Sequence, residues 1–333
     1  MNESVGSAGL GSWSAYGVTL RADHTLSAAV VGQTPTPVTL TLRRGHLSSR
    51  DEVEAQVSWL EDVGGDRRTL TEGRLSDQAV LWYDEALFVI ASDGCSAQYW
   101  TGPSVSSEGL EHLMLDVVVP VMLTCHSAAV LHAGAVLRPA GDALLVCGDS
   151  GWGKSTLTAA LALQGCPALG DDTARITGAE DDFVVHPSYP SLRLHEDARA
   201  LLLPAISCGV AVAPWTTKRR YGTAQAGLPT IDVPAPLGPI VVLNDPVNAA
   251  VDIVSVERLN LDEALNSVFR HRFSLRMWAE QDKRKTAERL LELVARGVFR
   301  ISYPRTGLVL GEVAELLCGL GTPDAAAAAI RRR

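Results

Sequence analysis

The chain has 333 residues, enough for two domains at about 150 residues each or one large domain with an appendage. Its 47% hydrophobic and 20% charged residues can bury a substantial core, which excludes a disordered chain. A net charge of −9, from 29 basic against 38 acidic residues, argues against a nucleic-acid partner or a polybasic membrane adaptor.

Residues 1–105 read as a β-rich N-terminal domain. TPVTLTLRR (36–44) alternates in polarity, and AVLWY and ALFVIA (79–91) read as two strands around a tight Asp84-Glu85 turn. Between them Asp51 to Leu60 is expected to form a short amphipathic helix. The region is rich in large aromatics (Trp13, Tyr16, Trp59, Trp82, Tyr83, Tyr99, Trp100); alternating strand positions favour core over a recognition surface. Its expected job is substrate capture or contact between subunits. A linking helix is expected over 106–125, with Ser106 or Ser107 as its N-cap and Pro120 kinking or ending it. The N-terminus has no basic start followed by an apolar run. The longest apolar run, Val117 to Leu123, is well short of the roughly 20 residues a spanning helix needs. A cytoplasmic protein with no membrane partner is expected.

From residue 126 strands alternate with helices, and 126–320 reads as one α/β domain. AAVLHAGAVL (128–137) and ALLVC (143–147) are apolar strands joined over RPAGD, and a helix over 154–164 is closed by Gly165. Short strands are expected near 168–170, 183–186 and 192–194, then at 239–245 and 251–257. Helices follow over 262–273 and 274–296, a strand over 299–303, and a helix over 311–319. Residues 321–333 form a tail, expected to be a frayed helix. The Lys283-Arg284-Lys285 run reads as an exposed helix face with i,i+4 partners. The six cysteines (95, 125, 147, 166, 208, 318) show no C-x-x-C spacing. Four of them sit in apolar or small-residue surroundings, so reduced core cysteine is the expectation.

The segment that carries chemistry is ALLVC-GDSGWGKST-LTAALALQG. Gly148, Gly153, Lys154 and Ser155 fit G-x-x-x-x-G-K-[ST], between an apolar strand and an alanine-rich helix. Glycines at 148, 151 and 153 let the loop fold so that successive backbone N–H groups face one anion. The helix starting at Lys154 adds the positive end of its dipole. Lys154 can reach β- and γ-phosphates, and the Ser155 hydroxyl can ligate Mg²⁺. Residues 148–156 (Gly148, Asp149, Ser150, Gly151, Trp152, Gly153, Lys154, Ser155, Thr156) are therefore the candidate nucleotide contacts. ATP and Mg²⁺ are the expected cofactors.

Asp171-Asp172 follow at the end of a short strand. A right-handed crossover would return this strand beside the first and set its end next to the phosphate loop. Two carboxylates there can bind Mg²⁺ or take a proton from an attacking hydroxyl, and adjacent like charges raise at least one pKa. Asp245, after PIVVLN, is a rival magnesium-side carboxylate. Lys218, Arg219 and Arg220 form a basic cluster, with Arg193 upstream, that can steady a transferring phosphoryl group. His132 lies sixteen residues before Gly148, where a core histidine is the simplest reading of the residue taken alone.

The run LHAGAVLRPAGDALLVCGDSGWGKSTLTAALALQGCPALGDD resembles the catalytic core of the HPr kinase/phosphorylase family, with its His-Gly strand, glycine-rich loop and Asp-Asp pair in the same order. The resemblance covers residues 126–200, with weaker support to about 260. It implies an HPr-kinase-like P-loop domain, a mixed sheet with flanking helices, behind the β-rich N-terminal domain. It further implies that Asp171 is the base, that Asp172 assists it and ligates Mg²⁺, and that His132 sits beside the phosphates. The chain departs from the family at Thr156, where Glu is usual, and at Ser191-Leu192-Arg193-Leu194, where the Arg survives and the Glu does not. HPSYPSLRLHEDA followed by KRRY is closer to HPr-kinase-like proteins found beside peptide-modification genes, among them kinases that phosphorylate a serine of lasso-peptide precursors. The function implied is an ATP-dependent kinase acting on a Ser or Thr hydroxyl of a peptide or small protein. A P-loop regulatory ATPase and a non-catalytic nucleotide sensor are the alternatives. The acceptor peptide is the expected partner, and a second copy of the chain a further candidate.

Overall fold

Residues 11–101 build the first of three sheets, with alternating strands such as Thr39–Arg44 and continuously buried ones such as Ala86–Ile90. The computed structural model describes residues 10–31, 36–45, 47–60, 70–245, 254–275, 283–304 and 306–320. The strands are β1 (Gly11–Ala15), β2 (Val18–Ala22), β3 (Val30–Val31), β4 (Thr39–Arg44), β5 (Ser58–Trp59), β6 (Thr71–Leu75), β7 (Gln78–Tyr83), β8 (Ala86–Ile90) and β9 (Ser96–Thr101). Their order is β3-β1-β2-β4-β9-β8-β7-β6-β5. Asp84, at φ +51°, turns β7 into β8, with Tyr83 opposite Ala86. The expected Asp51–Leu60 helix is displaced: α1 runs Leu47–Gln56, and Ser58–Trp59 extends as β5. Tyr16, Tyr99 and Trp100 are buried, whereas Trp59 lies at the surface, tilted against Trp82 at 5.2 Å.

The apolar face of this sheet packs on a continuous helical stretch, Ser107–His126, that follows it in the chain. Ser106 caps it by accepting the Gly109 N–H at 3.1 Å. Its first turns are α2 (Ser107–Leu113), its last α3 (Val119–Leu123), and between them Met114–Val118 form a π turn. In that turn the Val119 N–H donates to Met114 O, five residues back. Pro120 has no N–H to return to residue 116, and its ring would crowd that carbonyl in a regular helix. The wider turn absorbs the mismatch, so Pro120 neither ends nor breaks the helix. Among the described residues this 20-residue stretch alone is long and apolar enough to cross a bilayer, but 72% of its most apolar 18-residue window is buried within the protein. Leu113, Met114, Leu115, Val118, Val119, Met122 and Leu123 supply its side of the core.

The second sheet also has nine strands. They are β10 (Ala129–Leu131), β11 (Ala133–Leu137), β12 (Ala143–Cys147), β13 (Ala168–Gly170), β14 (Ala174–Thr177), β15 (Val184–His186), β19 (Ala235–Leu243), β20 (Ser255–Arg258) and β21 (Val298–Ser302). The order is β10-β14-β15-β19-β12-β11-β13, with β21 alongside β19 and β20 beyond it. The single strand expected over 128–137 is bent at His132 into β10 and β11, which pair with different neighbours. The sheet path therefore curls back on itself around a core of small and branched side chains. The strand after the glycine-loop helix does not return directly beside β12. β13 pairs with β11, which lies between it and β12. The parallel neighbours of the series are instead β12, β19 and β21.

A small third sheet, β16 (Ser191–Leu194), β18 (Arg219–Gly222) and β17 (Val210–Ala211), carries Arg193 opposite Arg220. Helix α4 (Lys154–Leu163) packs between this layer and the second sheet, and α5 (Glu196–Leu202) follows β16. Helix α6 runs Leu261–Arg270, with Asn260 and Glu263 forming a reciprocal capping box. Two later helices span Lys283–Ala295 and Leu310–Cys318. Residues 251–253, 276–282 and 321–333, and the side chains of the Lys283-Arg284-Lys285 run, lie outside the described residues. Only Cys147 and Cys166 are fully buried among the thiols. Cys166 and Cys318 bring their sulfurs to 2.7 Å, joining the end of α4 to the last helix.

Candidate active site

The site is built around the strand–loop–helix of β12 and α4. Five consecutive buried residues, Ala143–Cys147, deliver the chain into the loop at Gly148. Gly151 and Gly153 hold φ of +81° and +95°, backbone positions that side-chain-bearing residues enter only with strain. Gly153 is also the N-cap of α4, and no side chain caps the helix there. Its first N–H groups are thus left for an anion, as the sequence pattern requires. Lys154 is buried and folds back over the loop, donating from Nζ to Gly148 O at 2.7 Å and Asp149 O at 3.2 Å. Burial lowers the pKa of its ammonium. Ser155 is buried beside it, Thr156 is half-buried, and Ser150 is exposed at the loop tip.

Asp171 and Asp172 end β13 close enough to influence the Lys154 charge. The two carboxylates are held differently. Asp171 is 3% exposed; its Oδ2 accepts the Arg193 backbone N–H at 2.7 Å, while its Oδ1 is buried without a hydrogen-bond partner. Burial raises its pKa, outweighing the Arg193 guanidinium. Asp172 pairs through Oδ2 with Arg193 Nη2 at 2.7 Å and through Oδ1 with His132 Nε2 at 3.1 Å. Burial opposes ionisation there too, but Arg193 and His132 prevail and hold the Asp172 pKa well below its usual value. Neighbouring carboxylates are thus pushed in opposite directions, the pattern that separates a proton acceptor from a permanent anion.

Arg193 is the hub. Its side chain is 4% exposed, and its Nη1 reaches Asp116 Oδ2 at 2.7 Å while Nε lies 3.9 Å from Asp171 Oδ2. The guanidinium is held by Asp116 and Asp172 and positions both carboxylates of the pair, while Arg193 also lines the cleft beside the loop. Arg219 departs from expectation. It is exposed, donates to Gly209 O at 2.6 Å and does not line the cleft beside the loop, whereas Lys218 does. Asp245 is half-buried after β19 and lies outside the cleft lining. His132, at the bend between β10 and β11, has a side chain 38% exposed and faces Phe273 at 6.0 Å.

Several residues of the network escape motif reading. Asp116 comes from the π turn. It also accepts a hydrogen bond from Tyr189 Oη and pairs with His112 Nδ1 at 2.7 Å. Burial raises its pKa, but Arg193 and His112 outweigh this and lower it. Glu111 pairs with the buried Arg220 at 3.2 Å. The available signal was Glu111, His112 and Asp116 inside an otherwise apolar helix, since a buried charge needs a partner. At the loop, Arg270 at the end of α6 pairs with Asp149 and stands 5.8 Å over the Trp152 ring. His271, whose pKa burial lowers to about 4, lies 3.9 Å from Asp149. A cleft of about 380 Å³ opens beside the loop, lined by Gly151–Thr156, Arg193, Lys218, α5 and the 303–310 segment.

The mixed α/β fold defined by these sheets is the class that the structure establishes. No protein-family model matches the chain, and no curated protein does. Among solved structures it is similar to the HPr(Ser) kinase/phosphatase from Coxiella burnetii, at 13% identity over 56% of this chain and 92% of that one, with a TM-score of 0.30. A superposition at that level carries no argument about activity.

Proposed function

We propose that the protein is an ATP-dependent kinase that transfers the γ-phosphoryl group to a serine or threonine hydroxyl of a peptide or small protein. The observation that carries this reading is the Asp171–Asp172 pair beside Lys154, one carboxylate with a raised pKa and a free oxygen, the other held ionised. A nucleotide-binding module alone has no need of a proton acceptor. In the transfer, the acceptor oxygen bonds to the γ-phosphorus as the bond to the β-phosphate oxygen breaks, and the hydroxyl proton passes to Asp171. Loop N–H groups and Lys154 hold the phosphates, and Arg193 fixes both carboxylates.

The donor set suits magnesium. Among the described residues no group of three His, Cys, Asp or Glu side chains could hold a metal alone. If Mg²⁺ binds, Ser155 and Asp172 would hold it, with phosphate and water oxygens completing its shell, as is usual for that ion. Bound there, Mg²⁺ would neutralise charge on the β- and γ-oxygens.

A second assignment of the base has its own support. His132 is far more exposed than Asp171 and is oriented by Asp172, the arrangement of a carboxylate-steered imidazole base. Mass spectrometry of serine-containing peptides, lasso-peptide precursors among them, after incubation with Mg·ATP tests the proposal. Transfer to peptide is the expected result. Phosphate release without an acceptor points to a regulatory ATPase, and binding without product to a sensor. Loss of transfer in Asp171→Asn with retention in His132→Asn assigns the base to Asp171; the converse assigns it to His132.

A further inference from the structure

The cleft beside the loop has two chemically different walls. Lys154, Arg193, His195, Asp197 and Lys218 supply its charged and polar part, while Trp152, Ala198, Leu201, Tyr303, Gly307 and Leu310 supply an apolar one. Tyr303 and Leu310 are buried in the core layer that Trp152 packs against, so that side of the wall is rigid. Beside them, Leu201 of α5 is 50% exposed and offers apolar surface to the cleft. The backbone at 307 approaches Leu201 closely: a Cβ at Gly307 would stand 2.7 Å from Leu201 Cδ1.

The position of this wall relative to the carboxylates is informative. Thr156 lines the same cleft, whereas Asp171, Asp172 and His132 do not. A polyphosphate whose terminal phosphorus faces the carboxylates leaves the loop on the cleft side, past Thr156. Whatever is attached to its other end must rest in the cleft. The volume of about 380 Å³ falls within the range of small-molecule sites, and an apolar wall facing charged and polar groups suits a ligand with one apolar and one anionic part.

We infer that the wall formed by Leu201, Tyr303 and Leu310 is the nucleoside subsite, taking the flat heterocycle of a nucleoside triphosphate. The inference rests on the phosphate-binding reading of the loop given above. Burying the heterocycle removes apolar surface of Leu201 and of the ring from water. Affinity then comes from the nucleoside as well as from the charged tail.

The test is titration calorimetry with two probes, Mg·ATP and magnesium tripolyphosphate, on the wild-type protein, Leu201→Asn and Leu201→Met. Both substitutions are uncharged, so the phosphates experience no new field, and the half-exposed position keeps the fold intact. The wild type is expected to bind ATP more tightly than tripolyphosphate. Leu201→Asn should weaken ATP about five- to tenfold and leave tripolyphosphate within about twofold, with Leu201→Met close to wild type for both. Unchanged ATP binding in Leu201→Asn, or equal loss of both probes, overturns the subsite. So does a wild type that binds both probes equally, and in each case the phosphate loop stands. A wild type that binds neither probe overturns the loop reading and the subsite together.

Discussion

Asp171 ties the chemistry to single-residue energetics. Only its ionised form accepts a proton, so turnover falls as pH drops through its pKa. Burial lifts that pKa above the ordinary aspartate value of about 3.8, which displaces the acid limb of the rate profile upward. Asp171→Asn is expected to lower turnover about 10²–10⁴-fold and to abolish this limb in a pH–rate profile. A raised folded-state pKa also means that ionised Asp171 costs stability once pH exceeds it. The amide mimics the protonated form and keeps an oxygen for the Arg193 N–H, so a denaturation curve should show stability unchanged or increased. Asp116 behaves in the opposite sense. Its folded pKa is lowered, so its stabilising contribution is present above 3.8 and lost as pH falls through the folded value. Asp116→Asn leaves Arg193 short of a buried partner and should cost about 3–5 kcal/mol in urea denaturation.

Among the elements, the glycine loop is the one whose geometry the residue pattern dictates most directly. Positive φ at Gly151 and Gly153 is what the spacing of glycines demands, and α4 begins at Lys154 as expected. Gly153→Ala should cost about 1 kcal/mol of stability but remove most tripolyphosphate binding, read by calorimetry, because the loop N–H groups lose their convergence. In the first sheet β4 was legible from its local alternation and the β7–β8 hairpin from two apolar runs around a turn, whereas β1, β2, β3, β5, β6 and β9 were not read as separate strands. The π turn was not. Pro120 announces a disturbance, but whether a helix stops or widens depends on the packing of Leu115 and Val118 against a sheet built about a hundred residues earlier. The pairing of β13 with β11 was hidden likewise, since strand order is decided by tertiary contacts. Asp171 and Lys154 could be read from motifs; Asp116 and His112 could not, because their partner Arg193 lies some eighty residues away.

Across the whole molecule, the two large sheets are joined by directional bonds as well as by apolar packing. Buried Arg175 of β14 donates to Tyr16 O at 2.8 Å, to Ser127 Oγ at 3.0 Å and to His126 O at 3.2 Å. Tyr16 Oη in turn donates to Leu115 O at 2.9 Å. Arg175→Met should therefore destabilise the protein by about 2–4 kcal/mol and separate its thermal unfolding into two transitions by calorimetry. The bend at His132 has a final implication for how this chain can vary. One continuous segment lines the interior of the second sheet on both sides of the bend and presents an imidazole at the bend itself. Inserting or deleting a single residue within 129–137 would invert the facing of one half while leaving the other in place. Length changes there are thus forbidden in a way that substitutions are not, and tolerated insertions should cluster in the turns outside that stretch.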